Sequence, residues 1–209
     1  ITRASVSQML HGIMTIDKQF SYWIKIFSMN DAPSLDDFVR LVVAEQVDGV
    51  IFLNDELDQN QMNQIKKMLD DSNVPFILSN VISEDQNIPA VNIDFETAAY
   101  EITKKMIENG RKNIYLFSTV RRYSANNRKE AGYIKAMEEV GLEPKIFRTS
   151  GDPDINSLHF AEFFNNHEVD GVISVRDSIA VSFMNIAQKN GHKIPEDILV
   201  VGFQNTKYA

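Results

Sequence analysis

The polar residues with the clearest chemical potential follow two copies of one five-letter phrase. VDGVI occurs at residues 47–51 and again at 169–173, and it leads first into Asn54-Asp55 and then into Arg176-Asp177. Carboxylates, amides and guanidinium groups make paired hydrogen bonds to small polar molecules, and a site built on such bonds rejects a ligand that lacks one of them. These residues therefore offer recognition of a small polar ligand.

Each VDGVI phrase has the form of a turn followed by a buried strand. The Asp-Gly pair turns the chain out of a helix, because Gly supplies backbone freedom. The apolar residues that follow are typical of a central strand covered on both faces. The polar pairs then fall at the carboxyl ends of strands, where open α/β sheets bind ligands. The alternative is that two unrelated strands converged on a good β sequence, and the matching flanks of the two copies count against it.

Short β-rich runs alternate with amphipathic helical stretches along the chain. The predicted strands are 22–28, 49–53, 75–79, 90–93, 113–118, 145–148, 171–175 and 198–203. One predicted helix begins at Ser34 with a capping-box pattern. Three further predicted helices cover 97–109, 128–140 and 178–190. Strand-helix-strand alternation predicts parallel sheets with right-handed crossovers. We therefore predict an α/β fold of two Rossmann-like lobes, 1–110 and 111–209, divided at the break near Gly110.

The composition limits the partners of the chain. Its 209 residues, of which 44% are hydrophobic, are ordinary for a globular protein of one large domain or two small lobes. A net charge of -8 argues against a direct grip on a phosphodiester backbone. No apolar run approaches the length of a membrane span, so we expect no membrane partner. With no cysteine and no signal-like opening, we expect a cytoplasmic protein.

The sequence lacks the common catalytic and cofactor motifs. It has no P-loop, no Gly-rich dinucleotide fingerprint, no GxSxG elbow and no HExxH. The paired carboxylates Asp36-Asp37 and Glu138-Glu139 fall on predicted helix surfaces, where solvation explains them. The histidines have no metal-ligand spacing and are expected to be structural or solvated; they are His11, His159, His167 and His192. We therefore expect no enzyme, no catalytic residue, no metal and no cofactor.

Three stretches resemble the LacI/GalR family of transcription regulators. In 87–118, the residues Asp94, Ala98, Ala99, Met106 and Gly110 match the family's pattern of an Asp, small residues and a helix ending in Gly-His, with Arg111 replacing His. The segment 128–144 resembles the family's Arg-x-x-Gly-Tyr/Phe-x-x-Ala-Leu segment. The segment 169–209 resembles the run Asn-Asp, Ala, helix, Gly, Ile-Pro, Asp-Ile-x-Val-Val-Gly-Phe-Asp. Three motifs in order at the right spacing are fairly specific, and the likeness covers nearly the whole chain.

The resemblance implies the periplasmic-binding-protein-like type I fold, with a ligand held in a cleft between the lobes. It implies a homodimeric transcriptional regulator, such as a repressor, that senses a sugar, sugar phosphate or sugar acid. DNA binding would come only from a helix-turn-helix headpiece that this chain does not contain.

The first residues hold a possible trap for this interpretation. The stretch RASVSQMLHG resembles the family's recognition helix, but only one helix precedes the predicted strand 22–28. We therefore expect 5–19 to be the first helix of the effector-binding core. The core would then be incomplete at both ends, without its first strand before Ile1 and without several elements after 209.

By motif position, the resemblance implies that loops at strand ends line the cleft. The implied ligand-binding residues are Ser5, Met29, Asn30, Asn54, Asn80, Arg128, Lys129, Asp152, Arg176, Asp177 and Gln204. From the second lobe, the turn at Gly151-Asp152-Pro153 is included on the same ground.

Three of these residues depart from the family's pattern. Lys129 stands where the family has Arg, and Lys is a point charge that lacks the guanidinium fork, so Arg128 is a candidate to take over. Arg176 replaces Asn, and Gln204 replaces Asp with an amide that donates and accepts. Together these changes point to an anionic ligand. The alternative is that Arg128 and Arg176 are charges that face solvent. We expect Arg121-Arg122 in a loop at the mouth of the cleft, where the two residues either take part in binding or are simply solvated.

Two rival functions use the same features. An exported sugar-binding protein of a transport system shares the fold, but the Gly-Phe-Gln-Asn ending and the Lys129-x-x-Gly-Tyr turn favour the regulator. An α/β enzyme acting on a phosphorylated metabolite is disfavoured by the lack of a catalytic constellation. The aromatic residues Tyr22, Trp23 and Phe27 are expected in the core of the strand 22–28 and not as sugar-stacking platforms.

Overall fold

The computed structural model describes residues 4–29, 32–53, 57–83, 85–150 and 152–206. The helices are α1 (Ala4–Phe20), α2 (Leu35–Ala44), α3 (Gln59–Asp71), α4 (Phe95–Glu108), α5 (Ser124–Glu139), α6 (Pro153–Asn166) and α7 (Asp177–Lys189). The strands are β1 (Val50–Phe52), β2 (Phe76–Ser79), β3 (Ala90–Val91), β4 (Ile114–Thr119), β5 (Lys145–Thr149), β6 (Gly171–Ser174) and β7 (Leu199–Gly202). Every strand pair within these ranges is parallel, which confirms the predicted α/β class.

The chain divides into two compact units, Ile1–Ile93 and Asp94–Ala209. Helix α4 packs with the second unit, although the sequence placed the division after it, near Gly110. The physical reason is a close approach of helix backbones: a Cβ on Gly132 of α5 would overlap the carbonyl of Glu96 and lie 2.9 Å from the amide nitrogen of Tyr100. The lobes 1–110 and 111–209 stay a prediction as functional domains.

The first unit is a three-stranded parallel sheet in the order β1-β2-β3. Its helices start where the sequence supplies caps. Ser34 accepts the amide of Asp37 at the start of α2, and Asp58 forms a full capping box with Gln61 at the start of α3. The core between helices and sheet is fully buried at Val39, Ile65, Leu69 and Leu78.

The stretch 22–28 does not form the predicted strand, so that prediction was wrong. Alternating β-formers favour extended backbone, but a strand also needs a neighbour that takes its hydrogen bonds, and 22–28 pairs with no described strand. Tyr22 is 67% exposed and Trp23 is 98% exposed, which contradicts their expected core position. Phe27 is half-buried and packs against the core of the first unit.

The second unit is a four-stranded parallel sheet in the order β5-β4-β6-β7. Strand β4 is buried along its whole length, as expected for a strand covered on both faces. The core centres on Phe117, whose ring centroid lies 5.0 Å from that of Phe160, 5.4 Å from that of Phe163 and 4.9 Å from that of Phe183. This sheet and its aromatic core fix the strand ends that carry the polar residues.

In the described part of the chain, no helix has the length and apolarity needed to cross a bilayer.

Candidate functional site

Polar side chains of the second unit gather where its parallel strands end. Register pairs Phe117 with Ser174 and Thr119 with Thr149, so the ends of β4, β5 and β6 lie side by side. Helices α5 and α7 begin just beyond β4 and β6. Arg128 and Lys129, near the start of α5, and Arg176, just before α7, are therefore positioned at one edge of one sheet.

Lys129 is buried at this edge, with only 3% of its surface exposed. Its Nζ donates a hydrogen bond of 3.2 Å to the carbonyl of Val175, just beyond β6. The ammonium also lies 4.5 Å from the ring centroid of Phe95 and 4.9 Å from that of Phe203. A buried cation is costly without such partners, and aromatic faces supply part of the compensation. The Lys129 amine thus lies between two aromatic rings and a backbone carbonyl.

Arg128, the candidate to replace the family's guanidinium, lies next to the same enclosure. Its guanidinium carbon is 5.2 Å from the ring centroid of Phe95, so Arg128 and Lys129 share one aromatic partner. Arg128 is half-buried, which argues against the alternative that it is a fully solvated charge. The shared ring brings two cations close together at the start of α5.

A buried ion pair that the sequence analysis missed lies beside them. Both carboxylate oxygens of Glu130 accept hydrogen bonds from the guanidinium of Arg148, at 2.8 and 2.7 Å, and Ser118 donates a third at 2.6 Å. Burial raises the pKa of Glu130, but the hydrogen bonds from Arg148 and Ser118 outweigh it, so the pKa is lowered. The same contact raises the pKa of Arg148. The signal in the sequence was one Arg inside the apolar strand KIFRT.

Asp177 uses its carboxylate to hold the loop that follows β7. It is 2% exposed, and its oxygens accept the amides of Gln204 at 3.1 Å and Thr206 at 2.6 Å and the hydroxyl of Thr206 at 2.8 Å. A Cβ on Gly202 would collide with this carboxylate, so the chain must be Gly there. Asp177 therefore positions Gln204. That either residue contacts a ligand stays a prediction.

Arg176 and Arg121 converge on the ring of Tyr123. Each guanidinium carbon lies 5.2 Å from the ring centroid. Arg121 belongs to the loop between β4 and α5. Thr119 Oγ1 stabilises this loop, because it donates a hydrogen bond of 2.6 Å to the Arg121 carbonyl and accepts one of 2.9 Å from the Asn126 side chain. Arg176 is half-buried at the start of α7. Two cations thus meet one aromatic ring between two helix starts.

The remaining predicted residues do not all fall on describable positions. Asn30, Asn54 and the side chain of Ser5 lie outside what the structure describes. Asn80 is buried in a left-handed conformation with φ of 57°, and its Oδ1 accepts the amide of Ile93 at 3.3 Å. Met29 packs against the core of the first unit. That these positions contact a ligand stays a prediction.

Asp152 acts at the start of α6. Its carboxylate accepts the amide of Ile155 at 3.3 Å, and its own amide donates to Ser150 Oγ at 3.1 Å. Asp152 is exposed. Its visible role is to begin a helix, and a ligand contact stays a prediction.

Metal chemistry finds no support within the described ranges, where no group of three or more His, Asp or Glu side chains could hold an ion. Two of the histidines have structural partners. His167 Nδ1 lies 3.3 Å from the hydroxyl of Tyr115, and the ring of His192 stacks on Phe164 with centroids 5.1 Å apart. The arrangement suits binding of a small polar molecule.

Comparison with known proteins places this fold in a family. Residues 6–209 match the model described as "Periplasmic binding proteins and sugar binding domain of LacI family". Catabolite control protein A of Staphylococcus xylosus is 28% identical over 210 residues, which are 99% of this chain and 63% of that protein. The chain thus spans less than two thirds of this curated relative.

Solved structures agree with the fold. The transcription regulator CcpA of Lactococcus lactis superposes with a TM-score of 0.73 at 26% identity, covering 99% of this chain and 76% of that one. A LacI family transcriptional regulator from Enterococcus faecium with bound ribose gives a TM-score of 0.78 at 20% identity, covering 99% and 75%. The chain therefore belongs to the family of periplasmic binding proteins and LacI-family sugar-binding domains.

Proposed function

We propose that this chain is the effector-binding core of a LacI/GalR-type transcriptional regulator and that its effector is a small carbohydrate or carbohydrate derivative. The observation that carries the proposal is the polar edge of the second unit, where Lys129 donates to the carbonyl of Val175, Arg176 lies against the Tyr123 ring and Asp177 binds the amide of Gln204. The family resemblance implies Lys129, Arg176 and Gln204 as ligand-binding residues. Arg176 and Gln204 follow β6 and β7, and Lys129 lies near the start of α5, the helix that follows β4. Open α/β sheets bind small molecules at such strand ends.

The named relatives support a regulator over its rivals. Those described above are regulators, and one of them holds ribose. An exported sugar-binding protein shares the family model, so it remains the second candidate, but no relative described above carries that name. In the described part of the second-unit edge, the carboxylate of Glu130 is bound by Arg148 and that of Asp177 holds the loop after β7, which are structural roles and not those of a base that activates a nucleophile.

The proposed mechanism is a shift between two conformations of a cytoplasmic homodimer. A ligand changes the activity of a regulator only if it binds one conformation more tightly than the other. In this proposal, the ligand binds one conformation of the core more tightly and so raises its population. A helix-turn-helix headpiece outside this chain then binds its operator with altered affinity. The protein performs no reaction on the ligand.

Thermal unfolding against a panel of sugars, sugar phosphates and sugar acids tests the proposal. A ligand that binds only the folded state at a concentration of 100 times its Kd adds about 2.7 kcal/mol to the free energy of unfolding. We expect one compound class to raise Tm saturably. Gln204→Ala should reduce that shift, while keeping the backbone bond to Asp177, which uses the Gln204 amide. Gln188→Ala on the exposed side of α7 is the matched control.

A well-folded sample in which no compound of the panel raises Tm contradicts the proposal. So does a shift that survives Gln204→Ala and Lys129→Ala unchanged. Light scattering of the same sample checks the proposed homodimer, which a monomer at micromolar concentration would contradict.

A further inference from the structure

We propose that the effector carries a phosphate or carboxylate group, which binds to Arg121 and Arg176 beside Tyr123. The inference rests on the proposed function, because it names the chemical class of the ligand for the same site. It assigns a role to Arg121, which family motifs do not mark as a ligand residue.

Two cations that follow neighbouring strands converge on one aromatic ring. Arg121 follows β4 and Arg176 follows β6, and these two strands pair directly in the sheet. Both guanidinium carbons lie 5.2 Å from the centroid of the Tyr123 ring. They are therefore no further apart than twice that distance. The chain has a net charge of -8, whereas these two guanidinium groups place two positive charges beside one ring.

The acidic residues Glu130 and Asp177 already accept hydrogen bonds from other groups. Glu130 accepts both guanidinium hydrogen bonds of Arg148. Asp177, next to Arg176 in sequence, accepts three hydrogen bonds from Gln204 and Thr206. Among the residues that the structure describes, Arg176 forms no ion pair, and its guanidinium carbon lies 5.2 Å from the centroid of the Tyr123 ring. Its planar fork suits a phosphate or carboxylate, which it can hold through two parallel bonds.

Two helices, α5 and α7, start beside this pair of arginines. Ser34, Asp58 and Asp94 cap α2, α3 and α4 with a side-chain oxygen, whereas Tyr123 and Arg176 stand at the same position of α5 and α7 and give no such cap. An anion held by the arginines would add acceptor oxygens and negative charge where these helices have unsatisfied amides and a positive dipole end.

A neutral donor also lies at this edge. Thr149 pairs with Thr119 in the register of β4 and β5 and is fully buried. Its Oγ1 has no hydrogen-bond partner among the described residues. The edge thus combines two guanidinium groups, helix starts and a hydroxyl. This set matches a phosphorylated or acidic sugar better than a neutral one.

Calorimetric titration of the whole 209-residue chain with inorganic phosphate, acetate and ribose tests the inference. We expect saturable binding of phosphate or acetate, and the anion that binds tells a phosphate site from a carboxylate site. Arg121→Gln and Arg176→Gln should each weaken that binding at least tenfold. Arg40→Gln, which removes the same charge from an exposed position of α2, should leave it unchanged. Arg176→Lys should restore less than half of the loss in binding free energy, because Lys lacks the fork.

The outcomes separate this inference from the proposed function. If ribose binds, while neither anion does and both Gln variants bind ribose normally, the inference is overturned and the proposed function stands. If phosphate binds through both arginines, but no sugar phosphate or sugar acid binds more tightly than phosphate, the anion site is real and the carbohydrate effector fails. If Arg40→Gln weakens phosphate binding as much as Arg176→Gln does, the effect is one of net charge, and the inference is overturned.

Discussion

Arg148 holds Glu130 through two parallel hydrogen bonds of 2.8 and 2.7 Å, which join strand β5 to helix α5. The carboxylate is nearly buried, with 7% of its side chain exposed, while 28% of the Arg148 side chain is exposed. Glu130 directly follows Lys129 in α5, so this ion pair helps to fix the helix turn that carries the predicted ligand cations.

Glu130→Gln should lower the free energy of unfolding by about 2 kcal/mol. The substitution leaves a partly buried guanidinium without its charged partner, and the figure is set below that of a fully buried pair because Arg148 is partly exposed. Urea denaturation measures the change. Glu138→Gln, at an exposed position of the same helix, is the control and should stay within about 0.5 kcal/mol of the parent chain. Equal stability of the two variants would show that the pair is energetically neutral.

The same pair predicts a pH dependence of stability. The pKa of Glu130 is lowered in the folded chain below its ordinary value of 4.5, so the unfolded chain binds the proton more tightly. Its contribution is therefore fully present above the ordinary value and is lost as the pH falls through the folded value. The stability difference between the parent chain and Glu130→Gln should be constant near neutral pH and shrink below about pH 4.5. A difference that grows on acidification would contradict the assignment.

Gly132→Ala should destabilise the second unit by about 1–3 kcal/mol, because the added methyl group has no space between α4 and α5. Its Cβ would overlap the backbone carbonyl of Glu96. Gly12→Ala is the matched control, since Gly12 lies in α1 with nothing within 4 Å of an added Cβ. Better helix propensity should make that variant neutral or slightly more stable. Thermal unfolding of both variants decides, and a tolerated Gly132→Ala would disprove the close approach.

Asp177→Asn should loosen the loop after β7 before it affects the rest of the chain. The substitution replaces one acceptor oxygen with a donor and disrupts bonds to the amides of Gln204 and Thr206. Amide hydrogen exchange at these two residues should accelerate by at least tenfold, and Asp70→Asn, on the exposed face of α3, should not change it. Unchanged exchange in Asp177→Asn would mean that the carboxylate does not hold the loop.

The parallel architecture was predictable because each strand carries its own signal. Both VDGVI phrases lead into strands, and β6 is buried throughout, whereas Ile51 in β1 is 50% exposed, so the expectation of a strand covered on both faces was wrong for β1. The helices predicted over 97–109, 128–140 and 178–190 are present as α4, α5 and α7. Local pattern failed at 22–28, because pairing depends on a neighbouring strand and not on the stretch itself.

The contacts of the residues at the candidate site were not predictable from the sequence. Motif spacing located Lys129, yet its burial depends on Phe95 and Phe203, which lie far from it in sequence and meet it only in the fold. The Glu130–Arg148 pair spans 18 positions, a separation at which no sequence pattern indicates a contact. The interior of an α/β unit brings such distant residues together, so partners are seen only once the sheet register is known.

The most direct test of the account is amide chemical-shift mapping of the labelled chain with the panel compound that raises Tm most. We expect the largest shifts at Lys129, near the start of α5, and at Arg176 and Gln204, which follow β6 and β7. Shifts that centre instead on the open pocket along α3, lined by Gln59, Asn63, Lys66 and Asp70, would place the ligand elsewhere and contradict the proposed site.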